Sequence, residues 1–480
     1  MKPTIDMTVS PYDRAASPAA PSLIQLNYTP KERWTPSRFN ARTVGEDGRL
    51  ILWNTLTGAL TIFRAEDKDQ VVATLSRKGI RSPLDKYGRY LSRRGFLVQD
   101  GVNEMDLFRY RYAKQHYRTD LLQLILLSSE DCNFRCVYCY EKFKRGTMEP
   151  QVRQGVRELL RQRAPSLKGM SLWWFGGEPL YGWEAIEEIA PYAKSLATQY
   201  GLSFVSQMTT NAYLLTEERA TKLLEWGCNS YQITIDGLPE DHDCKRVGRD
   251  GSPTYHTILD NLRSLRERTA DYRVNIRINY DQQNFLRLGT FMEALSDDFA
   301  GDERFVLRFH PVGRWGGDND SNLETCGTEE QRFVASDLRA KAADLGLNAE
   351  GGIREISEMG AQVCYAARPY NFVVGASGKL MKCTVALDDE EDNIVGRLHP
   401  DGRMELVDEN LIKWVAPHFE SDSLCKTCYV LPGCQGSACP LTRVREGQRT
   451  CCGAKSTLKR EMRYTLAEKA RAGQIATTTT

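Results

Sequence analysis

The period of the apolar positions changes three times along the chain. Residues 1 to about 36, with Pro3, Pro11, Pro18, Pro21, Pro30 and Pro36 among Ser, Thr and Ala, show no period and predict a flexible arm. From 37 to 118, the stretch Arg49 to Phe63 reads as two short strands joined near Asn54 to Gly58. Helical spacing follows at about 67–77 and 83–94, ahead of Gly95-Phe-Leu-Val98. A hairpin with helices of this kind predicts a small winged-helix-like module. From 121 onward, short apolar runs at 122–127, 172–175, 204–209, 230–235, 274–280 and 305–309 alternate with helical patterns at about 150–163, 183–198, 216–226, 254–268 and 283–296. Six βα-type repeats imply right-handed parallel units and an α/β class. After about 345 the period weakens, Gly and Pro punctuate short elements, and eight cysteines fall between Cys364 and Cys452. Such a segment needs metal staples to hold a fold. The expected organisation is an arm (1–36), the module (37–118), the repeats (119–345), a cysteine-rich domain (346–455) and a C-terminal helix with a flexible tail (456–480).

Composition then narrows the function classes. The 480 residues carry 64 Lys+Arg against 63 Asp+Glu, a formal charge of +1, so no bulk positive field is available for nucleic acid. The longest apolar stretch, Leu121 to Leu127, falls far short of the ~20 residues of a membrane span, and the first residues lack a signal-peptide apolar region. A cytoplasmic protein without nucleic-acid or membrane partners is expected. In such a chain, 14 cysteines point to metal binding or thiol chemistry rather than a disulfide framework.

The first cysteine group is Cys132-Asn-Phe-Arg-Cys136-Val-Tyr-Cys139, directly after the first predicted strand of the repeats. Three thiolates on one tight loop can hold three irons of a four-iron cluster and leave the fourth open to substrate or cofactor. Zinc would require a fourth Cys or His at close spacing, and none follows.

This loop resembles that of the radical S-adenosylmethionine (radical SAM) superfamily, including the aromatic Tyr138 before the last cysteine. The resemblance implies a partial (β/α)6 TIM-type barrel. It also implies S-adenosyl-L-methionine chelated by the open iron and cleaved by one electron to methionine and a 5'-deoxyadenosyl radical. Gly176-Gly177-Glu178-Pro179 ends the second strand, where the glycines allow close backbone approach to a ligand and Glu178 could accept from the cofactor ammonium. Thr209-Thr-Asn211 closes the third strand, and Thr234-Ile-Asp-Gly237 the fourth, followed by His242-Asp243 and Arg246. Arg246 could pair with the cofactor carboxylate, and Thr234 with the carboxylate or ribose. Arg277 and Asn279 lie at i, i+2 on the fifth strand and so share a face, either toward a barrel site or in a structural salt bridge. His310 is better read as a satisfied buried histidine. The cofactor-binding set is therefore Tyr138, Gly176, Gly177, Glu178, Asn211, Thr234, Arg246 and Asn279.

The second cysteine group resembles the SPASM extension of these enzymes, which usually carries two auxiliary 4Fe-4S clusters, making three clusters in all. The resemblance assigns Cys425, Cys428, Cys434 and one of Cys451 or Cys452 to the outer cluster, with Cys451 favoured by the position of Lys455. It assigns Cys364, Cys383 and Cys439 to the inner one. The inner set then shows three ligands, leaving either an open iron for substrate or a fourth ligand from elsewhere, with Cys326 a remote candidate, and the loop before Cys439 is one residue longer than usual. A structural-zinc reading of these cysteines stands beside it. Cys228 and Cys244 read as ordinary packed or surface thiols. The module at 37–118 is similar in pattern to peptide-recognition domains that take up a leader sequence as an added edge strand.

Together these features imply a radical SAM oxidoreductase acting as a peptide maturase. It would form a thioether or other crosslink in a ribosomally made precursor peptide, with a low-potential donor such as flavodoxin or ferredoxin. One alternative is an anaerobic sulfatase maturase that makes formylglycine, which the residue after Cys383, Thr384, disfavours because those enzymes place an aspartate there. The other is a non-catalytic, metal-stabilised peptide-binding protein.

Overall fold

The computed structural model describes residues 33–143, 145–350, 359–387, 390–452 and 454–471. The expected arm through residue 32 and the tail beyond 471 lie outside them. The last residues assigned to the arm are instead strand β1 (Arg33–Pro36). Strands β2 (Asn40–Val44), β3 (Leu50–Asn54) and β4 (Leu60–Phe63) form an antiparallel sheet in that order. In a second sheet, β1 lies between β5 (Ile80–Arg81) and β6 (Leu97–Gln99). The helices Lys68–Leu75 and Lys86–Arg93 fall where the sequence spacing puts them. A third helix, Glu104–His116, was not anticipated; Asn103 caps its first turn, and Met105, Phe108 and Tyr112 form its buried stripe.

Strand β7 (Leu121–Ser129) begins the large sheet and runs into the short β8 (Phe134–Cys136). Then come β9 (Gly169–Gly176), β10 (Ser203–Thr210) and β11 (Cys228–Thr234), a short β12 (Arg246–Gly248), and β13 (Arg273–Tyr280) and β14 (Phe305–Pro311). The order β7-β9-β10-β11-β13-β14 is sequential and parallel throughout. These are the six repeats read from the sequence. Alternation along the strands divides the sheet: Leu124, Leu172, Met208, Ile233, Ile276 and Leu307 join the helix-side core. Trp173, Gln207, Gln232 and Arg277 stand on the opposite face and are only partly buried.

β7 does not pair with β14, so the barrel is open. A two-residue strand β15 (Asn348–Ala349) extends the β14 side. On the other side, β16 (Asn371–Val374) pairs in parallel with β7, and β17 (Lys379–Met381), β18 (Ile394–Leu398) and β19 (Met404–Leu406) continue antiparallel. One eleven-stranded sheet therefore crosses the boundary expected at 345. The late strands escaped sequence reading because they are three to five residues long, β16 being buried throughout and β19 largely exposed, so neither leaves an alternation to read.

The N-terminal sheets pack on the C-terminal cysteine region. Ala41, Ile51 and Trp53 share a core with Val430, Cys452, Leu458, Met462 and Leu466, and Phe39, Phe108 and Tyr112 share one with Phe419, Cys425 and Leu431. Arg109 grips Glu420 bidentately at 2.8 and 3.1 Å. No helix among the described residues is long and apolar enough to cross a membrane.

Candidate active site

The C-terminal end of β7 turns directly into the loop that carries Cys132, Cys136 and Cys139. Asp131 accepts from the Cys132 amide at 2.8 Å and pairs with Arg135 and Arg249, which fixes the loop's entry. The loop's second half is held as a ribbon: β8 pairs antiparallel with β12, setting Cys136 opposite Arg246. The three thiols lie within electrostatic reach of one another, and burial pushes each of them up in pKa, Cys139 to about 12. Among the described residues no three Cys, His, Asp or Glu side chains converge as the ligands of a single metal ion do.

Gly176 and Gly177 press on this loop. A Cβ at Gly176, where φ is +128°, would sit 2.0 Å from the Ser129 carbonyl oxygen, and one at Gly177 would sit 2.6 Å from that of Asp131. The amides of Gly177 and Glu178 donate to those same two carbonyls, both at 3.1 Å. The close approach expected toward a ligand is thus, in the structure, an approach to the cysteine loop.

Glu178 follows the end of β9. It is fully buried, and its carboxylate accepts from the Leu180 amide at 2.9 Å, the Thr210 hydroxyl at 2.7 Å and the Asn211 amide at 2.7 Å. It is a post that joins the ends of β9 and β10, with three of the acceptor positions of its carboxylate engaged. What it positions is Asn211, whose side-chain amide donates to Asn133 at 2.8 Å and lies 3.8 Å from the Cys132 sulfur.

Tyr138 is the hub of the other wall. Its hydroxyl donates to Asp236 and accepts from Arg246 at 2.9 Å and from Asn279 at 3.1 Å. Asp236 also accepts the Asn279 amide at 3.0 Å. Sequence reading quoted Asp236 within its motif but gave it no role; its place before Gly237 was the available signal. His242 accepts the Asp236 amide through Nδ1 at 3.2 Å and therefore donates through Nε2 to Thr254, which in turn donates to the Arg246 carbonyl. Asp243 caps the helix Tyr255–Arg266 by accepting the Thr254 and Tyr255 amides. His242 and Asp243 thus hold Arg246 in place. The Arg246 Nε is buried with no protein partner. Thr234 ends β11 in register with Arg277, whose Nε donates to Asn279 at 2.9 Å. His310 bonds the Pro311 carbonyl at 2.9 Å, and burial beside Arg277 pulls its pKa down to about 3.

In the C-terminal region Cys364, Cys383 and Cys439 influence one another electrostatically, as do Cys425, Cys428 and Cys451. Cys425, Cys428, Cys434, Cys451 and Cys452 line one small, open-sided recess together with Lys455. Cys452 is buried and touches Cys434, whereas Cys451 is exposed. Cys326 lies near Tyr280. Cys228 is buried at the start of β11, and the exposed Cys244 donates to the Asp241 carbonyl. Tyr140, next to Cys139 in the chain, is buried within electrostatic reach of Tyr365 and Cys383.

Residues 126–281 match the model of the Radical SAM superfamily. The chain carries a radical SAM domain. Over 386 residues, 72% of this chain and 74% of the relative, it is 23% identical to the radical SAM cyclopropyl synthase TigE of Paramaledivibacter caminithermalis. Over 342 residues, 67% of this chain and 80% of the relative, it is 22% identical to the serine-type anaerobic sulfatase-maturating enzyme of Klebsiella aerogenes. A shorter stretch of 143 residues, 30% of the chain, is 31% identical to an uncharacterized protein of Methanocaldococcus jannaschii but spans only 46% of it. In fold, the solved structure of native anSMEcpe with bound AdoMet and Cp18Cys peptide aligns with a TM-score of 0.54 at 18% identity, covering 73% of this chain and 98% of that one. The superfamily implies S-adenosylmethionine and a 4Fe-4S cluster. The residues present fit them: three thiols lie within electrostatic reach of one another, the Arg246 guanidinium is near Cys136 and Cys139, and its buried Nε has no protein partner. Its members are enzymes, which sets aside the non-catalytic binding protein.

Proposed function

We propose that the chain is a peptide maturase that installs a thioether or other crosslink in a ribosomally made precursor. Cys132, Cys136 and Cys139 would hold the cluster. Tyr138, Asn211, Thr234, Arg246 and Asn279 would surround S-adenosylmethionine, with Gly176 and Gly177 shaping the backbone beside it. When bound and reduced, that cofactor supplies a 5'-deoxyadenosyl radical able to take hydrogen from a substrate carbon. Cys364, Cys383 and Cys439 would hold an inner auxiliary cluster. Cys425, Cys428, Cys434 and either Cys451 or Cys452 would hold an outer one, the burial of Cys452 favouring it.

The observation that carries this reading is that Tyr140, next to Cys139, lies within electrostatic reach of Cys383, so the first cysteine loop and the inner cysteine set border one region. A substrate entering the open barrel would meet both, which is the arrangement a net oxidation needs. The N-terminal sheets offer edge strands for a leader peptide, and a flavodoxin or ferredoxin would deliver the electron.

Anaerobically reconstituted protein with S-adenosylmethionine and a low-potential reductant should yield 5'-deoxyadenosine, and replacing Cys132, Cys136 and Cys139 by Ala should abolish it. A co-expressed precursor should lose two hydrogens per crosslink. The relatedness to a sulfatase-maturating enzyme favours formylglycine formation as the second reading. Against it, the residue after Cys383 is Thr384, whose hydroxyl is paired with Tyr365 at 2.8 Å and offers no carboxylate base. An aldehyde in place of a serine or cysteine side chain would favour the second reading.

A further inference from the structure

The open face of the barrel has two unlike walls. On the β7, β9 and β16 side, Ile125, Leu127 and Val373 pack with Trp173, Phe175 and Tyr365 into an apolar, aromatic surface. On the β13 and β14 side, Arg277 and Arg308 are direct cross-strand partners, followed one pair along by Asn279 and His310. Two guanidiniums side by side on one sheet face repel, and a sheet tolerates them only where anions offset them.

Arg308 has its anion in Glu350 at 3.6 Å, which also serves Arg273 at 3.6 Å. The salt-bridge role considered for Arg277 from the sequence is not realised: among the described residues its hydrogen-bond partner is the neutral Asn279, at 2.9 Å through Nε. Arg277 is nonetheless only partly covered, so the rest of its guanidinium fork faces the open side. Burial disfavours its charge, and the positive potential of the two arginines helps keep His310 neutral. The Asp236 carboxylate is within electrostatic reach of Arg277 but is held by Tyr138 and the Asn279 amide. A partly desolvated guanidinium without an ion-pair partner therefore still gains from an incoming anion, most fully from a bidentate carboxylate. Asn279 connects this fork to the Tyr138 hydroxyl and hence to the radical site.

We propose that Arg277 anchors a carboxylate of the substrate, borne by a peptide segment whose neighbouring aromatic or aliphatic side chain rests on the Trp173 wall. The inference builds on the peptide-maturase reading and adds the chemistry of the segment it accepts. The carboxylate comes from an Asp or Glu side chain or from the end of a peptide.

The test is binding, without reductant, of pentapeptides to the reconstituted full-length protein holding S-adenosylmethionine, followed by ligand-observed NMR. Three probes share one Trp: a capped peptide with Glu, the same peptide with Gln, and the Gln peptide with a free C-terminal carboxylate. The Glu peptide should bind at least about tenfold tighter than the capped Gln peptide, Arg277→Gln should erase that preference, and Arg277→Lys should retain part of it. Tight binding by the free-acid Gln peptide instead would assign the anchor to a chain terminus. Equal binding of all three to the unsubstituted protein overturns the proposal, and this comparison stands even if a variant fails to fold. So does a preference for Glu that survives in Arg277→Gln, or an Arg277→Gln variant whose loss is in affinity for S-adenosylmethionine. Absence of 5'-deoxyadenosine on reduction would undo the maturase reading but leave the pentapeptide preference as a separate result.

Discussion

The Tyr138 hydroxyl serves three partners: Asp236 just past β11, Arg246 on β12 and Asn279 on β13. Tyr138→Phe leaves Asp236, Arg246 and Asn279 each short of a bond in buried surroundings. A cost of about 1–3 kcal/mol per stranded group is ordinary, so with three such groups a loss of at least about 3 kcal/mol is expected by urea unfolding, with weakened S-adenosylmethionine binding by equilibrium dialysis. Two buried histidines add a pH dependence. Burial holds His242 well below its ordinary range and His310 at about 3. An unfolded histidine takes its proton near pH 6.5. Their contribution is therefore fully present above about pH 6.5 and is lost as pH falls below it, by up to about 1.4 kcal/mol per pH unit for each histidine. The urea midpoint should be lower at pH 5.5 than at 7.5, and His242→Gln should shrink the difference. At this scale the spacing of the cysteines, Tyr138 and Arg246 marks them as candidates in the sequence, and the structure brings Cys136, Tyr138 and Arg246 together. The sequence hid the roles of Glu178 and Asp236, because a carboxylate's partners are set by strands far away in the chain.

Among the elements, the cysteine loop depends on neighbours that leave it no slack. Gly176→Ala places a methyl group against the Ser129 carbonyl at a backbone angle that favours glycine. The expected outcome is a displaced loop, seen as reduced iron content after reconstitution and a lower melting temperature, whereas Gly201→Ala, where a Cβ meets nothing within 4 Å, should keep its iron. The six parallel strands could be read from their apolar runs, with observed limits within a few residues of those expected. The β8–β12 ribbon could not. Arg246-Val-Gly248 has no pattern of its own and becomes a strand only because the cysteine loop lies beside it. The helix Glu104–His116 was there to be found: Asn103 as cap, then Met105, Phe108 and Tyr112 at i, i+3 and i+7.

Across the whole molecule, the N-terminal sheets are built into the C-terminal cysteine region rather than tethered to it. Phe108 packs at 5.2 Å, ring to ring, on Phe419 in the core that also contains Cys425. Phe108→Ala should therefore cost about 3–5 kcal/mol by chemical denaturation and also lower the iron content contributed by the outer recess. Deleting residues 1–118 should uncover the faces of Leu458, Met462 and Phe419 and give aggregates on size-exclusion chromatography, not a trimmed active enzyme.

The parallel pairing of β7 with β16 sets Ile125 beside Val373, partners separated by more than half the chain. During synthesis the leading strand of the barrel leaves the ribosome early and then waits, its open backbone edge unsatisfied, until the last third of the polypeptide emerges. In that interval any other strand with free amides can take the vacant place. Slow translation or a premature stop near residue 345 would lengthen this exposure, and crowded expression should favour exchange of the late strand between copies over its return to its own sheet.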